Sequence, residues 1–522
     1  MNTVDLRPAE DQPGRRRNRS TTLAVVAALV SLTVVVGVIV GVVTDNSGHG
    51  HPAATPAPRT AASTGSGTDV SVSAGAQRWT APNLPGVRAV LARMNSALAA
   101  GDERGFLADV DARSSRETTV DSSAGGAASA APEAPSFRQR QQALFRALHR
   151  MPFAWVRYSW TSPSNPDDPD HDEEWLAHYG PGAVAGVALR QYRLAGWDDR
   201  PVAERVVLVF VPQGGGWVLA DELGSDVTPD PMDWADGFQS EPWTFGDIAV
   251  ARAGNVLVVA DPGQQAHAEA LAGHVSRAIR EVDALWSTTG WNHHVVVYAL
   301  TSTRFVRNWF GSGLGAVTIP MEIDLGNRGD VRGRVADVLA AAPEDASAPG
   351  QSAGHALRIV LAPGITRTVT PTTDEVIRHE LTHVATWRVT MTTWLREGVA
   401  EYTANRVLVG GRPDGAASLS RHVPPVRLPA AMQAGTFRLT DLGTWPDPRF
   451  PSAVRDAYAG AWLACQYIVS TRGESALRRF IAEAGRGSDR TVAVDAALRD
   501  VLHVGRETFE RDVTSFARRL VG

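Results

Sequence analysis

His379 and His383 are one helical turn apart, and Glu380 follows the first of them directly. On an α-helix, positions i and i+4 stand one above the other, with Cβ atoms roughly 5–6 Å apart. Two imidazoles at that spacing can converge on one ion at nitrogen–zinc distances of about 2.0–2.1 Å. Glu380 sits one step round the helix. Its carboxylate can reach a water on such an ion without becoming a ligand, which is what a general base requires. The competing reading of the same five residues is a solvated helix face.

Thr372 with Glu375 offers a capping box, so the spacing predicts a helix from there to about residue 389. Val376, Ile377, Leu381 and Val384 face away from the histidines into a core. "TTWLREGVAEY" opens a second helix, with Thr392 or Thr393 as its candidate N-cap. Glu397 and Glu401 lie on it at i and i+4, and as a plain exposed pair they would repel each other by a few tenths of a kcal/mol. Upstream, "NVLVVAD", "HHVVVYAL" and "LGAVTI" read as strands, and "AHAEALAGHVSRAIREVDALWS" as a long amphipathic helix. His293 and His294 begin a strand far from any partner in sequence and read as structural or surface residues.

The stretch "WLREGVAEY" resembles the "WLxEGxAxY" segment of gluzincins, the HExxH…E zinc peptidases of the peptidase MA-like group. The resemblance spans roughly residues 243–522, with its specific motifs in 378–402. It implies Glu397 as the third metal ligand beside His379 and His383, and one zinc ion per chain. Thirteen residues separate His383 from Glu397, enough to end one helix, turn and return antiparallel. It further implies Glu401 as the carboxylate that accepts a hydrogen bond from a ligand histidine, fixing its tautomer. "DAYAGAWLACQYIVSTRGES" resembles the helix that carries a tyrosine beside the metal in zinc aminopeptidases, which implies Tyr458 as an oxyanion donor worth on the order of 3 kcal/mol. The "GAMEN" edge strand of those aminopeptidases is broken here into Gly315-Ala316 and Met321-Glu322, so aminopeptidase action is not supported. The strand around Ala316, Val317 and Thr318 is a candidate to bind substrate backbone as an added strand.

At 522 residues and 43% apolar, the chain can fill two or three domain cores. A net charge of -5 gives no footprint for nucleic acid, and all 51 basic residues are arginine. Cys465 is the single cysteine, which excludes an internal disulfide and a cysteine-built zinc site; it reads as a small buried hydrophobe. Arg15, Arg16, Arg17 and Arg19 precede an uncharged run over 21–43, which predicts an uncleaved transmembrane helix. The positive-inside rule then puts residues 1–20 in the cytoplasm and the rest outside, on a single-pass cell-membrane protein.

Residues 44–82 read as a disordered Pro/Ala/Ser/Thr/Gly tether. The acidic run 167–174 reads as a solvated loop rather than a calcium site. Helices followed by strand-like runs over 83–228 resemble the NTF2-like cone fold, and residues 240–522 make up the peptidase-like domain. The expected fold class is α+β: a transmembrane helix, an NTF2-like cone, then a catalytic domain with a mixed-sheet lobe and a helical C-terminal lobe. The expected function is a membrane-anchored zinc metallopeptidase acting on peptides or proteins. Its NTF2-like part would contact the catalytic domain or a protein partner. The alternative is a catalytically silent binding module of the cell envelope.

Overall fold

The computed structural model describes residues 85–112, 135–160, 178–223, 240–302, 316–320, 356–406, 428–439, 451–486 and 489–521, together with 176, 305, 408–409, 412–414 and 446. The first described unit opens with α1 (Pro85–Ala100), the short α2 (Glu103–Phe106) and α3 (Phe137–Arg150). Ser136 caps α3 through a capping box with Gln139. An antiparallel meander follows: β1 (Phe153–Trp160), β2 (Val184–Leu194), β3 (Val202–Gln213) and β4 (Gly216–Leu223). Val90, Met94, Phe106, Phe145 and Leu148 fill the space between these helices and the sheet.

The second unit is built on a five-stranded sheet. Its strands are β5 (Ala249–Ala253), β6 (Val256–Ala260), β7 (Val295–Ala299), β8 (Ala316–Pro320) and β9 (Leu357–Leu361), in the order β5-β6-β7-β9-β8. The three central strands are parallel and both edge strands run antiparallel to their neighbours. Between β6 and β7 lies α4 (Gln265–Trp286), the crossover helix that a parallel pair needs. The rest is helical: α5 (Pro363–Thr366), α6 (Pro371–Thr386), α7 (Thr393–Asn405), a small hairpin of β10 (Leu408–Val409) and β11 (Arg412–Pro413), α8 (Ala430–Ala434), α9 (Pro451–Arg472), α10 (Glu474–Ala484), α11 (Arg490–Ala497) and α12 (Arg506–Val521).

Each face of the five-stranded sheet has its own cover. Val258, Val297 and Ile359 point into a core shared with α4, α6, α7 and α9. Leu257, Val259, Val296, Tyr298 and Val360 point the other way, into the same core as the helices and meander of the first unit. The 3-10 turn Pro242–Phe245 wedges Trp243 between the rings of Tyr192 and Phe153, at centroid distances of 5.0 and 5.2 Å.

Charged groups cross this junction. Arg358 of β9 is fully buried and makes a two-pronged ion pair with Asp198, at 2.7 and 3.0 Å. Its Nε also donates to the Tyr298 hydroxyl, which in turn donates to Glu241 at 2.7 Å. Tyr192 of β2 donates to the other oxygen of Glu241. Strands from both units thus meet on one carboxyl group.

Burial, helped by the Glu204 charge, pushes the Glu241 carboxyl up to about 7, against the opposing pull of Arg358 and the two tyrosines. Folded Glu241 therefore keeps a proton that the unfolded chain releases near 4.5. Its contribution to stability is complete below that value and declines as pH climbs to about 7, by roughly 3 kcal/mol in all. Glu241→Gln is expected to flatten this part of the profile in urea unfolding at about pH 5 and about pH 8. An unchanged slope would remove Glu241 as its source.

Two expectations need correction. The fold class is mixed α/β and not α+β, because β6, α4 and β7 form an interleaved parallel crossover. No helix among the described residues is long and apolar enough to cross a membrane. The two of sufficient length, α4 and α9, carry Glu269, Arg277, Arg280, Glu281 and Asp283 in one and Arg455, Asp456 and Arg472 in the other. Both are packed into the core. The span expected over 21–43 and the tether over 44–82 lie outside the described residues, as does the acidic run 167–174. The single-pass anchor and the cell-membrane address drawn from it are therefore not supported by any described helix.

Candidate metal centre

α6 starts two residues earlier than the Thr372–Glu375 spacing predicts. Thr370 is the N-cap, Pro371 takes the first helical position, and Thr370 and Thr373 form the reciprocal cap. Proline suits that position because the missing N–H has no intrahelical partner there anyway. Ile377, Leu381 and Val384 are buried in the core while His379, Glu380 and His383 line the other side. After a short turn, Thr392 stands at the N-cap of α7, though its hydroxyl makes no capping bond.

Three side-chain atoms meet between these helices. His379 Nε2 and His383 Nε2 are 3.1 Å apart, and Glu397 Oε2 is 3.4 Å from each. All three residues are buried. At 3.4 Å from both nitrogens, Glu397 Oε2 has no hydrogen-bond partner, so a buried carboxylate oxygen faces the point that both imidazoles face. Ligands at 2.0–2.1 Å around a tetrahedral ion are roughly 3.3–3.4 Å from one another. The observed triangle, 3.1–3.4 Å on a side, has the size that the ligand set of such an ion would need. Nitrogen–nitrogen–oxygen is a donor set that suits zinc.

The electrostatics point the same way. Burial alone would lower the His379 pKa, but Glu397, Glu401 and Glu380 outweigh it and hold it well above the usual imidazole range. Burial pushes the Glu397 carboxyl up, and the imidazoles facing it more than reverse this, holding it well below the ordinary carboxylate range. Such a cluster draws in positive charge, whether a proton or a metal cation. On its far side, His379 Nδ1 lies 3.0 Å from Glu401 Oε1. With Nδ1–H donating there, neutral His379 presents the Nε2 lone pair to the centre.

Tyr458 of α9 is brought to the same place. It is almost fully buried, its ring centroid 6.2 Å from that of His379, and hydrogen-bonded to Glu397. Burial and the charges of Glu397, Glu401 and Glu380 hold its pKa well above the phenolic range, so it remains a protonated donor. The strand that contains Ala316, Val317 and Thr318 is β8, the last in the sheet order and packed beside α6. Met321 and Glu322 lie outside the described residues. His293 and His294 are not in the cluster: His293 pairs with Asp283 at 2.7 Å, and His294 packs by Trp197.

Sequence reasoning assigned no task to Gly398, beside the third ligand. A Cβ there would stand 2.6 Å from the Ala461 carbonyl oxygen and 2.9 Å from Cys465 Sγ, so hydrogen alone lets α9 cross α7 this closely. The same crossing seats Tyr458 one turn before Ala461. Gly398→Ala is expected to destabilise the fold by about 1–3 kcal/mol in denaturant unfolding, the usual range for overpacking. Wild-type stability in that variant would show that the two helices separate freely.

Arg378 was also passed over. Its guanidinium donates twice to the Ala404 carbonyl at the end of α7, at 2.9 and 3.1 Å, tying the two ligand helices together. Its place next to His379 was visible in the sequence, but its acceptor is backbone and has no sequence signature. The chain matches no protein-family model, and no curated protein matches it in sequence.

Proposed function

We propose that this chain is a gluzincin-type zinc metallopeptidase, preceded by an NTF2-like unit, that hydrolyses peptide bonds in peptides or proteins. The observation that supports it most is the convergence of His379 Nε2, His383 Nε2 and Glu397 Oε2 at 3.1–3.4 Å in a buried site. Bound there, zinc supplies a Lewis acid that acidifies water and polarises a carbonyl oxygen. Glu380 accepts the proton that the attacking water loses and returns it to the leaving amine. Tyr458 donates to the oxyanion that develops on the substrate. Glu401 holds His379 in the ligand tautomer. The strand at Ala316–Thr318 offers its outer backbone edge to an extended substrate.

The test uses the full chain. Elemental analysis is expected to find stoichiometric zinc, and a mixed peptide library is expected to be cut in a chelator-sensitive way. A chain that neither carries zinc nor takes it up on titration overturns the proposal. Zinc without cleavage would favour the silent binding module.

A further inference from the structure

Behind His379 the polar contacts continue one link beyond Glu401. Asn405 closes α7 one turn after Glu401, and its Nδ2 donates both to the Glu401 backbone carbonyl at 3.0 Å and to Glu401 Oε2 at 3.1 Å. The other carboxylate oxygen, Oε1, faces His379 Nδ1 at 3.0 Å. Asn405, Glu401 and His379 are all buried, so water does not compete for these bonds. A carboxylate that accepts on one oxygen only can swing about its terminal torsion, which is soft and roughly two-fold. With both oxygens engaged, it has a single orientation.

The amide is fixed as well. Its bond to the Glu401 carbonyl restrains the side chain along the helix, and Arg378 pins the adjoining Ala404 carbonyl to α6. The carbonyl contact by itself would be ordinary satisfaction of a helix end. The contact to Oε2 reaches toward the centre, and a helix end does not need it.

We infer that Asn405 is a positioning residue for the metal centre: it orients the Glu401 carboxylate, and through it the His379 imidazole that faces the ion. This rests on the metal-site reading above. Removing the groups that hold a ligand histidine typically weakens metal binding about 10–100-fold, and a group one link further out should lie at the low end.

The experiment measures zinc affinity of the full chain by chelator competition for wild type, Asn405→Ala and the near-isosteric Asn405→Leu. It also records the visible spectrum of each cobalt-substituted protein and the thermal unfolding of each metal-free protein. Both variants are expected to bind zinc about tenfold more weakly and to shift the cobalt bands, which report ligand geometry. A lower melting temperature with zinc affinity within about twofold of wild type and unchanged cobalt bands would make Asn405 a helix-end residue only, and overturn the inference. If one variant fails to fold, the other decides. Wild type that binds no zinc would sink the metal site itself and the inference with it, a result distinct from equal binding by all three proteins.

Discussion

Glu380→Gln is expected to lower kcat by about 10²–10⁴-fold while zinc content and melting temperature stay near wild type. Glutamine keeps the volume of a side chain that is almost fully buried, and so keeps the packing of α6. It cannot take a proton. The Glu380 charge acts on both His379 and Tyr458, which locates the carboxylate at the centre. Steady-state kinetics on a cleaved library peptide, beside metal analysis of the same preparation, measures both quantities. A rise in KM with kcat unchanged would mean that Glu380 binds substrate and does not carry the proton.

His383→Ala acts on the ion itself. It removes one corner of the triangle and leaves Glu397 buried opposite a single imidazole. Zinc affinity is expected to fall by about 10³-fold, one ligand's share of the roughly 10–16 kcal/mol that structural zinc sites gain. Activity goes with it. The carboxylate, left with one facing imidazole instead of two, also weakens the fold, by at most the about 3–5 kcal/mol that breaking a buried charge pair costs. Thermal unfolding with and without chelator separates the two effects: chelator should lower the melting temperature of wild type and leave that of the variant unchanged. A variant still sensitive to chelator would mean that zinc sits elsewhere.

Much of the candidate centre was legible because its residues repeat at helical spacing. His379 and His383, and likewise Glu397 and Glu401, are i, i+4 pairs, and the geometry of one helix fixes their relation. Tyr458 came from a likeness between helices, and α9 does bring it to Glu397. The start of α6 was misplaced because two local signals compete, Thr372–Glu375 and Thr370–Pro371, and the proline wins by fitting the first turn. The fold class was misread for another reason. Runs such as "NVLVVAD" and "HHVVVYAL" mark strands but not their neighbours, so the parallel β6–β7–β9 order stayed hidden. The Arg358–Asp198 pair joins residues 160 positions apart, and no periodicity marks such a contact.

The outer side of the five-stranded sheet bears further on how this chain could be dissected. Leu257, Val259, Val296, Tyr298 and Val360 are covered by the first unit, and Arg358 finds its counter-ion there. Cutting the polypeptide between positions 223 and 240 would give a C-terminal piece with a greasy flank and a guanidinium stripped of its Asp198 counter-ion, prone to clump as it leaves the ribosome. The smallest portion suited to production and crystallisation is therefore the pair of units together, and the two would be inherited as one indivisible block.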